Sequence, residues 1–280
     1  MLPSSTKPTR IGLSTQHVVT VAGGQFLSFG STVSNVSATA PAKVVPDFDQ
    51  VLHLTREALQ KIKATERKGA GALPRWFGGN LPGVAYVLDN TWVRVFVCRW
   101  DEALRTTKDF TRYAQIEFER RFHSSSVEWT LVPDGLRPGG ETVFCAYRGD
   151  QLKGLKGLAD EAGFSIYSAL PVIMAEIAAQ KFVKASSPLI YIGSGNQSKT
   201  ICWIEDSRLR DLILLRSDAV AEGALLDLFS ERLKLSSAVQ QIEIVHAQSS
   251  PSETLRMLVE GHRPKTTTSS FHASGAELVS

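Results

Sequence analysis

The chain has 280 residues, 43% of them hydrophobic and 21% charged, with a formal net charge of +3, a globular rather than a disordered composition. This length holds one large or two modest domains, and so small a net charge does not mark a nucleic-acid binder. No apolar run reaches membrane-spanning length: the best, residues 169–179, is short and carries Glu176. The first ten residues lack an apolar signal core, so a soluble cytoplasmic protein is expected.

Residues 11–22 are rich in β-branched side chains and end in Gly23-Gly24, which suits a strand, or a hairpin turning near Gln16-His17; a short strand follows at 25–29. Residues 47–63 read as a helix, with Asp47 or Asp49 as N-cap and Val51, Leu54, Ala58, Leu59 and Ile62 as its apolar stripe. The Gly/Pro-rich stretch 64–82 reads as an exposed loop with Trp76 and Phe77 at its middle. Residues 83–100 (GVAYVLDNTWVRVFVCRW) read as a β-hairpin about Asp89-Asn90.

A helix over 106–122 follows, capped by Thr107 and striped by Phe110, Tyr113, Ala114, Phe118 and Phe122. Strands are expected at 127–132 and 142–147, and a helix over 150–162 closed by Gly163. A short strand at 164–169 leads into a helix over 171–182, with Pro171 in its first turn. Three successive strands, 189–192, 200–205 and 209–217, turn at 193–196 and 206–207. A helix over 220–235, a strand at 241–246 and a helix over 252–259 complete the pattern, and 261–280 reads as a polar, mobile tail. Antiparallel strands open each block and helical crossovers follow, which points to a two-lobed α/β protein.

This order resembles the actin-like ATPase superfamily, which includes actin, sugar kinases and heat-shock chaperones. In that fold a Gly-rich turn after the first strand of each lobe cradles nucleotide phosphates. Ile11-Gly12-Leu13-Ser14 is similar to the first such turn, and Ile192-Gly193-Ser194-Gly195-Asn196 to the second. More narrowly, Tyr86-Val87-Leu88-Asp89-Asn90-Thr91-Trp92-Val93-Arg94 resembles a strand–turn–strand stretch of the type II secretion L proteins, relatives of the type IV pilus M proteins. The resemblance implies an α/β, two-lobed actin-like (ribonuclease H-like) fold with mixed sheets opened by antiparallel meanders. Its expected parts are a flexible start at 1–10, a first lobe with an inserted subdomain at 11–185, a second lobe at 186–260 and the tail at 261–280.

A phosphate turn needs free backbone N–H groups, hence glycine, and carboxylates that hold Mg²⁺ through water. Gly193, Ser194, Gly195 and Asn196 meet the first need, as Gly12 and Ser14 do more weakly. The aspartate that nucleotide-hydrolysing members place ahead of the second turn is replaced by Tyr191, and the first turn lacks its aspartate as well. No carboxylate stands out from the sequence to orient an attacking water. The same glycines equally suit hairpin turns at positive φ.

Other chemistries lack their patterns. The six histidines show no HxxxH or HExxH spacing, and no GxSxG elbow exists. Cys98, Cys145 and Cys202 form no CxxC pair and sit in apolar runs, as packed cysteines of a reducing compartment do. Lys61, Lys63, Arg67, Lys68 and Arg75 form the densest basic cluster, which suits a solvated helix end, an acidic partner or anionic headgroups; no nucleic-acid motif accompanies it.

What is expected is a non-catalytic actin-like scaffold in a pilus or secretion machine, held at the inner membrane through partners and without a cofactor. The resemblance implies an inner-membrane platform protein or its cytoplasmic peptide as partner, and an assembly ATPase as a second. A homodimer is compatible with it. Arg75, Trp76 and Phe77 are the expected docking element, because interface cores favour aromatics and arginine. The alternative is an ATP-binding ATPase or kinase using the 193–196 turn.

Overall fold

The computed structural model describes residues 9–13, 17–22, 25–30, 48–69, 83–90, 92–136, 140–180, 188–193, 198–206, 208–216, 241–249, 251–260 and 262–272. The chain divides into two compact units. One comprises Met1–Val93, Tyr147–Ala175 and Leu255–His262; the other comprises Arg94–Ala146, Glu176–Thr254 and Arg263–Ser280.

In the first unit β1 (Thr9–Leu13), β2 (His17–Ala22) and β3 (Gln25–Gly30) form an antiparallel meander. β4 (Gly83–Leu88) lies parallel to β1, with Ile11 opposite Tyr86 and Leu13 opposite Leu88. β8 (Ser165–Pro171) lies parallel to β4, so the sheet order is β3-β2-β1-β4-β8. Val84, Ala85, Tyr86, Val87 and Leu88 are all buried, as a strand covered on both faces requires. Helix α1 (Phe48–Gly69) packs on β2 and β3 and against α3 (Gly149–Ala162). Gly154 permits that approach: a Cβ there would lie 3.0 Å from Cδ1 of Leu52. Gly163 ends α3 at φ +81°, with its N–H on the Asp160 and Ala159 carbonyls.

In the second unit β9 (Leu189–Gly193), β10 (Ser198–Glu205) and β11 (Arg208–Arg216) form a second antiparallel meander. β12 (Gln241–Ala247) is parallel to β9 and β13 (Thr266–His272) antiparallel to β12, giving the order β11-β10-β9-β12-β13. The two sheets therefore repeat one order: three meander strands, the first also flanked by the fourth, the fifth outside it. This doubled order is that of the actin-like, ribonuclease H-like fold.

The same unit contains a small sheet of order β5-β7-β6, from β5 (Val93–Arg99), β6 (Trp129–Pro133) and β7 (Glu141–Arg148). Helix α2 (Thr107–Phe122) closes its core of Phe96, Cys98, Phe110, Ala114, Phe118, Phe144 and Ala146. The Phe96 ring lies 5.5 Å from Phe144 and 5.9 Å from both Phe118 and Phe122. Helices α4 (Val172–Gln180) and α5 (Pro251–Glu260) complete the described elements.

Four expectations change. The hairpin expected over 83–100 does not form: β4 pairs with β1 and β8, while β5 belongs to the small sheet. Its supposed turn is occupied otherwise, since the Asp89 N–H donates to the Leu13 carbonyl at 2.8 Å. Helix α1 runs on to Gly69, because Ala64, Thr65, Glu66, Arg67 and Lys68 contain no breaker. Thr106, not Thr107, caps α2. Part of the segment expected as a mobile tail is strand β13, held by a seven-residue ladder against β12. The helix expected over 220–235 lies outside the described residues.

Candidate functional site

In sheets with parallel neighbours, ligands bind beyond the carboxyl ends of those strands. In the first unit these ends belong to β1, β4 and β8, at Leu13, Leu88 and Pro171. Gly12 lies inside β1, opposite Val19 of β2 and Val87 of β4; Ser14 lies outside the described residues. Asp89 follows β4 directly and is buried at 8% exposure. Its backbone joins β1 through the Leu13 carbonyl, and its own carbonyl accepts the Trp92 N–H at 3.0 Å. Beside it, Oδ1 of Asn90 accepts the Ile173 N–H at 3.4 Å, in the first turn of α4. The 89–92 stretch thus ties the end of β4 to β1 and to the start of α4.

Asp89 is the functional candidate that the hairpin expectation concealed. A buried carboxylate at the mouth of a central parallel strand can orient a water or hold a cation through water. The usable signal was the apolar run 84–88 ending in an acid, which suits a central parallel strand as well as a hairpin arm.

In the second unit the corresponding end is Gly193, the last residue of β9, opposite Thr200 of β10. Ser194, Gly195 and Asn196 lie outside the described residues. Tyr191, two residues ahead of Gly193, is fully buried, as are Glu176 of α4 and Cys202 of β10. Burial, and then the Glu176 carboxyl, raise the Tyr191 phenol above its ordinary pKa. Burial, then Glu176 and Asp211, raise the Cys202 thiol. Tyr191 thus fills the interior with an aromatic ring backed by a buried acid. Cys98 is likewise pushed up by burial, to about 12, and all three cysteines are buried and outside any disulfide. The Cys98 and Cys202 thiols are therefore poor nucleophiles.

Among the described residues, no group of three or more His, Cys, Asp and Glu side chains is placed to hold a metal ion. No described helix is long and apolar enough to cross a membrane. Arg75, Trp76 and Phe77 lie outside the described residues. Among the described residues, exposed large apolar side chains are Ile116, Val127, Val132 and Leu136 around the small sheet, Tyr167 and Leu170 on β8 and Leu214 on β11. Arg94, the last residue of the stretch resembling the secretion L proteins, is half-buried on β5 with its guanidinium carbon 5.9 Å from the Phe122 ring centre.

No protein-family model and no curated protein matches the chain. Solved structures do. The PilM–PilN type IV pilus biogenesis complex matches at 12% identity and TM-score 0.48, over 83% of this chain and 67% of that one. A Bacteroides thetaiotaomicron protein with an actin-like ATPase fold and unknown function matches at 10% identity and TM-score 0.48, over 89% and 85%. The cytoplasmic domain of EpsL, an inner membrane component of the type II secretion system of Vibrio cholerae, matches at 9% identity and TM-score 0.44, over 90% and 93%. The fold assignment rests on the repeated strand order and not on these distant likenesses: the chain has the actin-like fold, with the small sheet inserted between β4 and β8.

Proposed function

We propose that this protein is a non-catalytic actin-like scaffold of a bacterial type IV pilus or type II secretion-like machine, acting by docking partner proteins at the cytoplasmic face of the inner membrane. The observation that carries the reading is Tyr191. A fully buried phenol backed by Glu176 stands two residues ahead of the Gly193 turn, where a carboxylate would have to face a metal-bound phosphate. The resemblance of residues 86–94 to the secretion L proteins supports the type of machine. The partners would be an inner-membrane platform protein, or its cytoplasmic peptide, and an assembly ATPase.

Chemical cross-linking and affinity capture of the tagged full chain from its native cell tests this. Recovery of an inner-membrane protein of such a machine, reduced by Trp76→Ala or Val127→Ser, is the expected result. Recovery of no envelope protein would overturn it.

Asp89 favours a second reading, an ATPase or kinase of the same fold with its phosphate turn at 193–196. A buried acid beyond a central parallel strand suits the orienting of an attacking water. Calorimetry with ATP and Mg²⁺ separates the two. The enzyme reading requires saturable binding, and turnover abolished by Asp89→Asn; the scaffold reading requires no turnover in either protein.

A further inference from the structure

The stretch 86–94 ends in an arginine with no carboxylate partner among the described residues. Arg94 lies on β5 one pleat from Phe96, at the end of the α2-covered face. Among the described residues it makes neither a hydrogen bond nor an ion pair; its one contact of that kind is the Phe122 ring. An arginine cannot shed its charge to suit a dry setting. Burial shifts its pKa downward, and no carboxylate among the described residues offsets the lost water.

Two acids in the C-terminal half of α2 are committed to other partners. Glu117 binds Arg120 at 2.8 Å and Arg121 at 3.3 Å. Glu119 accepts the Ser126 N–H at 2.9 Å and the Ser126 hydroxyl at 2.7 Å. That second bond also folds the chain back, so that Val127 stands beside the last turn of α2 with 90% of its surface exposed. The last turn of α2 thus carries Phe122, whose ring meets the Arg94 guanidinium, and Glu119, which holds the 3-10 turn that bears the exposed Val127.

We propose that Arg94, Phe122 and Val127 form a recognition point for a partner peptide that carries a carboxylate next to an apolar side chain. The carboxylate takes the forked donors of Arg94, whose face is already held by the ring. The apolar neighbour covers Val127. Charge complementarity selects this occupant: the described residues offer a cation without an anion, and phosphate-sized anions have no use for Val127. The proposal rests on the docking reading and names the chemistry of its partner.

The test uses the full chain and two fluorescein-labelled peptides, GSLEELSG and GSLKKLSG, followed by anisotropy. Saturable binding of the acidic peptide, with none of the basic one, is the expected result. Arg94→Gln should weaken it by roughly tenfold or more, with Arg94→Lys intermediate because an ammonium lacks the fork, and with unchanged far-ultraviolet circular dichroism. Should Arg94→Gln fail to fold, Val127→Ser carries the same expectation from an exposed position. Equal affinity for both peptides, equal affinity of Arg94→Gln and wild type, or no saturable binding overturns the proposal. The peptide result and the cellular capture fail separately. Acidic-peptide binding without envelope partners defeats the scaffold reading alone. Captured partners indifferent to Arg94→Gln defeat the Arg94 site alone.

Discussion

Nη1 of Arg210 lies 2.6 Å from Oε2 of Glu141, which ties strand β11 of the second five-stranded sheet to the first residue of β7 in the small sheet. The guanidinium also meets Asp206 at 3.0 Å and Glu205 at 3.5 Å, and Arg99 approaches Glu141 at 3.9 Å. Arg210 and Glu141 are only 21% and 24% exposed, so this is a partly desolvated pair and not a solvated surface contact. Arg210→Ala should cost about 1–2 kcal/mol in urea denaturation and raise amide exchange in β7 and β11. The charge-swapped pair Glu141→Arg with Arg210→Glu should recover little, because Glu205 and Asp206 would then face a carboxylate. Full recovery would show that the pair acts alone.

Helix α2 starts on a reciprocal cap. The Thr106 hydroxyl accepts the Asp109 N–H at 3.1 Å, and the Asp109 carboxylate accepts the Thr106 N–H at 3.1 Å. Thr106→Ala should destabilise by about 1 kcal/mol, read as a lowered thermal midpoint. Thr107→Ala should be close to neutral, since Thr107 is already inside the helix. The reverse ranking would place the cap one residue later.

The sequence was informative where local rules decide, although it put the α2 cap one residue late. The meander strands, the stripes of α1 and α2, and the Gly163 stop follow local rules of spacing and backbone freedom, so they could be read directly. The partition of β4 and β5 between two sheets could not. Both segments are apolar, and Asp89-Asn90 suits a tight turn as well as it suits a bond to Leu13 and a contact with Ile173. Only the non-local pairing of β4 with β1 decides, and that same error hid Asp89. Strand β13 escaped because Thr266, Thr267, Thr268, Ser269 and Ser270 have the polarity of a tail while an edge strand needs little apolar surface. Tyr191 was legible as a missing aspartate, but its backing by Glu176, from a helix in another part of the chain, was not. The motif residue Arg94 was visible; that it meets no carboxylate among the described residues required coordinates.

The small sheet depends on its aromatic centre. Phe96 is 1% exposed and its ring meets Phe118, Phe122 and Phe144. Phe96→Ala should cost about 3–5 kcal/mol, and Phe96→Leu distinctly less. Because Arg121 also stacks on this ring, with its guanidinium carbon 6.0 Å from the centre, the alanine variant should loosen the last turn of α2. Amide exchange at Phe118 and Phe122 would then rise before exchange in the first unit. Uniform exchange throughout the chain would mean that the small sheet does not unfold separately.

Acid should weaken the same helix end. The hydrogen bond from Arg120, joined by its charge and by Arg121, holds the Glu117 carboxyl below the usual carboxylate range, against an opposing effect of burial. A carboxyl with a depressed folded-state pKa contributes stability that is fully present above its unfolded pKa and is lost as pH falls through the folded value. Denaturation midpoints should therefore be level from neutrality down to the ordinary glutamate range, near pH ~4.3, and fall below it. Glu117→Gln should lower the midpoint at pH 7 and flatten that acid limb, since it abolishes the titration along with the charge. Arg94 faces no acid among the described residues, so Arg94→Gln should leave the limb unaltered. A limb equally steep in Glu117→Gln and wild type would place the acid sensitivity elsewhere in the chain.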